Sequence, residues 1–271
     1  MERYRPGKSH IQMKRSAFHI AFILVISLGF IHVGFAYIPS AGQILQPFLK
    51  TYSGLHTIRI DMETVIYDDL SEKTEIGEQL LIKKGCMFRD ERVFSHGDNI
   101  LIQDGRKTLN LGVETANADE RRIDAVFPTI FFQKSVNDLL NTLNFLGVDT
   151  GTVSIDRMDG KVVFVAGKGL EVAPGSRLWI ERKRSLPLRF VGVGMSGGER
   201  IVLRAEYLDY HQVSKRFWLP ERIEYYRNDV LWVVSIVKNI TINENMPETL
   251  FKMPGEENVC SPVANFLNIR E

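Results

Sequence analysis

Leu55-His-Thr-Ile-Arg-Ile-Asp-Met-Glu-Thr-Val-Ile-Tyr67 alternates from end to end. Ile58, Ile60, Met62, Thr64 and Ile66 fall on one side of an extended chain, and Arg59, Asp61 and Glu63 on the other. Successive side chains of a strand point to opposite faces. The stretch is therefore a long strand with one dry and one wet face, as in an antiparallel sheet that covers a core on one side only.

Further strands follow at short spacing on the C-terminal side. Ile76–Lys83, Ile100–Gln103 and Lys107–Leu111 come first, with Asp104-Gly105 as a hairpin signal between the last two. Thr152–Asp156 and Lys161–Ala166 form a second pair, joined by Arg157-Met-Asp-Gly160. Arg177–Glu181, Pro187–Val193, Glu199–Tyr210 and Arg216–Tyr226 read as four more strands. The last strand, Val230–Ile242, follows Asn228-Asp229, with Trp232, Val234, Ile236 and Ile240 expected on one face and Lys238 interrupting it.

Two segments carry helical periodicity instead. On the N-terminal side, Ile44, Leu45, Phe48, Leu49 and Tyr52 lie at helical spacing within Ser40–Tyr52, where Pro47 either kinks the helix or marks its first turn. In the middle, Val136, Leu139, Leu140, Leu143 and Leu146 make an apolar stripe between a cap at Ser135 and a stop at Gly147. The pattern predicts one curved antiparallel sheet, mainly β with α, whose open face the helices cover.

The first 36 residues read differently. Lys14-Arg15, the apolar run Ile20–Ile31 and Gly34-Phe35-Ala36 have the order of a secretory signal peptide, with cleavage near Ala36. The alternative is an uncleaved anchor, although the run is short for a bilayer, which takes about 20 residues. Met13 could serve as the start instead of Met1. This divides the chain into a signal peptide, 1–36, and one domain, 37–271. Tyr37 rather than Cys follows the cut, so a lipid anchor is not expected and the mature chain is expected to be soluble.

The chain has 34 Lys and Arg against 33 Asp and Glu. The leader holds Arg3, Arg5, Lys8, Lys14 and Arg15 against Glu2, which leaves 29 against 32 and a formal net charge of −3 in the mature part. This mixed surface lacks the basic stripe of a nucleic-acid binder. Cys86 and Cys260 are the two cysteines, too few for a structural zinc site. In an oxidising compartment they either pair and pin the polar tail, or remain separate thiols.

Several motifs resemble chemistry without its context. Gly192-Val-Gly-Met-Ser-Gly197 matches a dinucleotide fingerprint, and Gly194-Met-Ser-Gly-Gly198 a nucleophile elbow. Both need a helix immediately afterwards, whereas Glu199–Tyr207 alternates like a strand, so a glycine-rich hairpin is expected. His56, His96 and His211 are scattered. Asp156 and Asp159 flank a turn, where Asp is favoured for backbone bonding. Arg182-Lys183-Arg184 reads as a solvated turn or a docking patch for an acidic partner or lipid headgroup. No catalytic residues, metal site or cofactor are expected, and no enzyme.

Three stretches together resemble the periplasmic outer-membrane lipoprotein carrier family (LolA-like). They are Phe48-Leu-Lys-Thr-Tyr-Ser-Gly-Leu-His-Thr57; Gln79-Leu-Leu-Ile-Lys-Lys-Gly-Cys-Met-Phe-Arg89 with Ile100–Leu109; and Leu208-Asp-Tyr210 with Leu219–Tyr225, ending in Ile242-Asn-Glu-Asn-Met-Pro-Glu-Thr-Leu-Phe251 and Pro254. The resemblance implies an unclosed β-barrel with a helical lid, holding lipoprotein acyl chains in an apolar cavity. It implies a monomer that receives cargo from an inner-membrane ABC transporter complex and delivers it to an outer-membrane acceptor. The family normally carries Arg before Pro in the second stretch, bonded to the lid; Lys84 before Gly85 stands there in this chain. The segment 117–175 has no clear counterpart in the family.

Exposing an acyl chain to water costs about 0.8 kcal/mol per CH₂, so a crossing cargo needs a dry compartment. The candidate lining is Ile58, Ile60, Met62 and Ile66 from the sheet and Leu139, Leu140 and Leu143 from the lid, with Trp218 and Trp232 as further choices. An ordinary filled core would show the same stripe. Two other readings remain open. One is an envelope-stress sensor of the RseB type that binds lipid or lipoprotein and controls an anti-sigma factor. The other is a carrier of another lipid, such as a glycolipid.

Overall fold

The computed structural model describes residues 37–67, 73–84, 87–95, 97–104, 107–112, 126–168, 175–196 and 199–252. The expected leader, Cys86, His96, Pro254 and Cys260 lie outside this set. The chain divides into two units, Met1–Tyr37 and Ile38–Glu271; the sheet and its helices belong to the second.

The alternating stretch Leu55–Tyr67 forms β1 (Thr57–Tyr67), an interior strand of a sheet of twelve strands among the described residues. The first run contains β2 (Lys73–Lys83), β3 (Met87–Phe94), β4 (Gly97–Asp104) and β5 (Lys107–Gly112). The second contains β6 (Val153–Met158), β7 (Lys161–Ala166), β8 (Arg177–Glu181), β9 (Pro187–Ser196), β10 (Glu199–Gln212), β11 (Trp218–Arg227) and β12 (Val230–Ile242). The spatial order is β5-β4-β3-β2-β1-β12-β11-β10-β9-β8-β7-β6. Each run is an antiparallel meander, and the β1–β12 pairing joins them. β5 and β6 are the two edges, so the barrel is unclosed, as expected.

β3 is the strand that sequence periodicity passes over. Its residues Phe88, Asp90, Arg92 and Phe94 are all buried, so its inner face is half apolar and half ionic. That face imitates the polar side of an ordinary strand.

The turns follow their sequences. Asp159 and Gly160 have φ of 49° and 75°, and Asn228 and Asp229 have 49° and 66°; each pair makes a two-residue hairpin turn with both residues left-handed. The glycine motif near 194 lies in β9 and its hairpin to β10, with strand on both sides. Within the basic turn, Arg182 and Lys183 are exposed, while Arg184 pairs with Glu181 at 2.7 Å and covers Trp218 at 5.1 Å.

β12 corrects one expectation. Asp61 pairs with Asn239 and Met62 with Val237, so Lys238 is an extra residue in the ladder. Trp232 is a second one, since Tyr225 pairs with Val233 and Tyr226 with Leu231. Each bulge reverses the alternation. Val233, Ser235, Val237, Ile240 and Ile242 therefore share the face of Ile58–Ile66, and Val234 and Ile236 turn away from it. The face proposed from simple alternation, which put Ile236 with Ile240, does not exist.

Among the described residues, three helices cover the inner face. α1 (Ala41–Thr51) starts from Ser40, whose hydroxyl and backbone form a reciprocal capping box with Gln43. Ile44, Leu45, Phe48 and Leu49 are buried. Pro47 lies inside the helix rather than in its first turn, on the exposed side. α3 (Val136–Phe145) is capped by Ser135, which accepts from the Asp138 N–H at 3.1 Å. Between them, α2 (Val126–Phe131) has all six residues buried. A helix apolar on every side has no stripe to read, which is why periodicity did not reveal it.

The covered face holds one apolar core that runs from α1 across β1, β2, β12, β11 and β10 to β8. On the other face, Leu81 packs with Met246 and Phe251, the latter in a short 3-10 turn, Glu248–Phe251. Arg89 reaches Leu250 O at 3.1 Å, and Lys83 reaches Glu248 at 2.8 Å, so the short 3-10 turn is held against β2 and β3.

Gly147 ends α3 with φ +81°, and a Cβ there would meet Ser176 Oγ at 2.9 Å. Gly147→Ala is expected to destabilise the protein by about 1–3 kcal/mol, read as a lower midpoint in urea with an unchanged slope.

Candidate functional site

The inner face of the sheet and the three helices enclose the candidate site. All nine lining candidates belong to one apolar cluster or pack against it. Ile58, Ile60, Met62, Leu139, Leu143 and Trp232 are buried members of one apolar cluster, and Ile66, Leu140 and Trp218 pack against it half-buried. The sheet residues arrive by register: Ile58, Ile60 and Met62 stand beside Ile82, Leu80 and Glu78 of β2 and beside Ile242, Ile240 and Val237 of β12. The lid residues arrive through the helical period of α3.

Aromatic rings join lid to sheet. Phe48 of α1 packs edge-on against Phe131 of α2 at 5.4 Å, and Phe131 packs edge-on against Tyr207 of β10 at 5.3 Å. Phe127 lies 4.6 Å from Phe131 and 6.0 Å from Tyr207. Such pairs add about 0.5–1.5 kcal/mol each to the area they bury. Sequence analysis missed this aromatic seam because Phe127 and Phe131 belong to the helix without a stripe.

Directional bonds between lid and sheet gather at the C-terminal end of α1. Lys84 Nζ donates to Ser53 O at 3.0 Å and to Tyr52 O at 3.4 Å. The Tyr52 hydroxyl donates to Trp218 O. Asn243 Nδ2 donates to Gly54 O at 3.0 Å, and its Oδ1 accepts from the His56 N–H at 2.8 Å. Lys84 thus meets carbonyls just past a helix C-terminus, where a cation is favoured. Burial pushes its pKa below the ordinary lysine value. It stands where the family resemblance sets a lid-bonding basic residue, and it makes bonds to lid carbonyls.

The interior is not uniformly apolar. On β1, β2, β3 and β12 the Thr64 hydroxyl donates to Glu78 Oε2 at 2.5 Å and lies 2.9 Å from Ser235 Oγ. Arg92 reaches Glu78 at 3.4 Å and Asp90 at 2.9 Å. Asn99 and Gln103 of β4 are buried on the same face. The signal was in the sequence: Asp90 and Arg92 keep in phase with Phe88 and Phe94, which puts opposite charges two apart on the face that apolar neighbours mark as inward. Among the described residues, no group of His, Cys, Asp or Glu is arranged to hold a metal ion, and no helix is long and apolar enough to cross a membrane.

No protein-family model matches the chain, and no curated protein matches it. Solved structures do. A Vibrio parahaemolyticus domain described as an outer membrane lipoprotein-sorting protein aligns over 78% of this chain and 95% of its own, with 11% identity and a TM-score of 0.50. A DUF1329 family protein from Desulfovibrio piger aligns over 78% and 95%, with 9% identity and a TM-score of 0.49. A LolA superfamily protein from Nitrosomonas europaea aligns over 80% and 99%, with 10% identity and a TM-score of 0.45.

Replacing Lys84 with Met removes the donor while retaining an apolar stem. It is expected to cost about 1 kcal/mol and to speed amide exchange in Ala41–Gly54, with the β1 and β12 amides unchanged. Lys84→Arg should restore much of the protection. Equal exchange in all three proteins would remove Lys84 from the lid attachment. The sheet and its lid together have the LolA-like fold.

Proposed function

We propose that the chain is a periplasmic carrier that takes the acyl chains of lipoproteins, or of a related lipid, between its sheet and its helices and passes them toward the outer membrane. The observation that carries this reading is how the lid is held. Among the described residues, the polar attachments of α1 to the sheet cluster at its C-terminal end, Val148 just past α3 bridges Ser176 beside β8, and the middle of the lid meets the sheet through apolar and aromatic contact. Apolar contact is not directional, so hydrocarbon can replace side chains at little cost once the helices move. The fold shared with a lipoprotein-sorting domain supports the same reading.

In this role Ile58, Ile60, Met62 and Ile66 form the floor, and Leu139, Leu140 and Leu143 the roof, with Trp218 and Trp232 beside them. Lys84 is the latch. No cofactor and no bond-making chemistry are required, because a ligand passes between cavities of graded affinity. The donor is an inner-membrane ABC transporter complex and the recipient an outer-membrane acceptor. Export by the 1–36 leader brings the protein to that compartment.

One observation favours a second reading, a carrier of another lipid with a larger polar head. Glu78, Asp90, Arg92, Asn99 and Gln103 are all buried on the inner face beside the apolar floor, and a polar headgroup would find partners there.

Native mass spectrometry of the protein isolated from periplasm tests both. Co-purified acylated peptide is the expected result; free glycolipid would favour the second reading. Protein that is empty, and that takes up no lipid from mixed micelles, would overturn both.

A further inference from the structure

Tyr52 and Tyr207 are buried in the covered interior, and Tyr210 is half-buried at its margin. Tyr52 donates to Trp218 O, and Tyr210 donates to Pro187 O at 2.5 Å. Tyr207 does not: its hydroxyl has no hydrogen-bond partner among the described residues, although the residue is only 1% exposed. Tyr207 is on the inner face of β10, opposite Ile223 of β11. Its ring packs against Phe131 and Phe127 of the lid. On the covering helix α3, Thr142 is equally buried beside Leu139 and Leu143, and its Oγ1 also has no partner among the described residues.

A buried hydroxyl without a partner forfeits the bonds it would make in water, and folded proteins leave few such groups. Phenylalanine would fill the place of Tyr207 with no such loss, and valine is close in shape to Thr142. Two hydroxyls unpaired among the described residues at one apolar core, one on the sheet and one on a helix that covers it, suit a ligand that is mainly hydrocarbon but carries acceptor oxygens. Burial holds the Tyr207 phenol neutral by raising its pKa far above the ordinary value, so it remains a donor.

We propose that the Tyr207 hydroxyl is the polar anchor for a lipid taken up between sheet and helices and donates to an ester carbonyl of the bound acyl group, with Thr142 as a second donor from the lid. The ligand class is an O-acylated lipid, and the inference rests on the carrier reading. An ether-linked lipid of the same chain length fills the same space but lacks the acceptor carbonyl.

The test compares wild type, Tyr207→Phe and Thr142→Val for binding of dipalmitoylglycerol and its dihexadecyl ether analogue. Wild type is expected to prefer the ester, and Tyr207→Phe to weaken the ester by about five- to tenfold with the ether unchanged. Thr142→Val should act in the same direction but less. A synthetic dipalmitoylated lipopeptide identifies the source: tighter binding than the diester assigns the ester to a lipoprotein, equal binding to a free lipid, and Tyr207→Phe weakens either. The unliganded Tyr207→Phe protein should melt no lower than wild type, since no internal bond is lost. Equal ester and ether binding in wild type, unaltered by Tyr207→Phe, overturns the anchor but leaves the carrier standing. A clearly lower melting temperature for Tyr207→Phe also overturns it, by showing that the hydroxyl serves the protein. Failure of wild type to bind any of the three probes overturns the carrier and the anchor together.

Discussion

The ladder between β1 and β12 is the contact on which the rest of the structure depends. It runs from Ile58 opposite Ile242 to Ile66 opposite Val233 and joins two meanders that have no other strand pairing among the described residues. Without it, β1–β5 and β6–β12 would each expose an apolar face and an extra edge, and neither would be wide enough to seat three helices. Its register puts Ile58, Ile60, Met62 and Thr64 in line with the inner residues of β2 and β12. The bulge at Lys238 keeps this alignment over the whole strand. The extra residue shifts the phase of β12 so that Ile240 and Ile242 still face inward with Val237.

Given that face, the helices follow as a solvation requirement. A sheet with such a continuous apolar surface must bury it, and burial of each Leu, Ile or Phe contributes about 1.5–3 kcal/mol. The chain covers it with α1, α2 and α3, which it inserts before β1 and between the meanders. The cover is joined to the sheet in two chemically different ways. Lys84, Tyr52 and Asn243 bind one end through directional bonds to backbone carbonyls. Phe127 and Phe131 bind the middle through ring contact with Tyr207, and Phe48 packs on Phe131. The first kind defines a position, and the second tolerates exchange for other hydrocarbon. Attachment of this sort lets a lid remain part of the fold while its apolar contacts are replaced.

Much of the strand content was legible because one face is dry and the other wet. β1, β7, β8 and β12 were read at or near their observed limits, and both two-residue turns carry the Asp, Asn or Gly that left-handed backbone favours. The capped amphipathic helices α1 and α3 were equally clear. β3 and α2 were not, for opposite reasons: β3 has charges on its buried face, and α2 has no polar face at all. Ile58, Ile60, Met62 and Ile66 were read from the same alternation and Leu139, Leu140 and Leu143 from the helical period, whereas the Phe127–Phe131 seam gave no periodic sign.

By itself, then, the amino-acid sequence determined the local elements: which residues extend, which coil, where caps and turns stop them, and which side of each must be kept from water. These are nearest-neighbour matters, governed by pleat, helical period and backbone preference. Only the tertiary structure decided that β1 pairs with β12, that Asp90, Arg92 and Glu78 meet indoors, that Lys84 reaches the end of α1, and that the Tyr207 hydroxyl is unmatched among the described residues. Each of those facts joins residues far apart along the chain. Their proximity comes from register and packing, which no local pattern encodes.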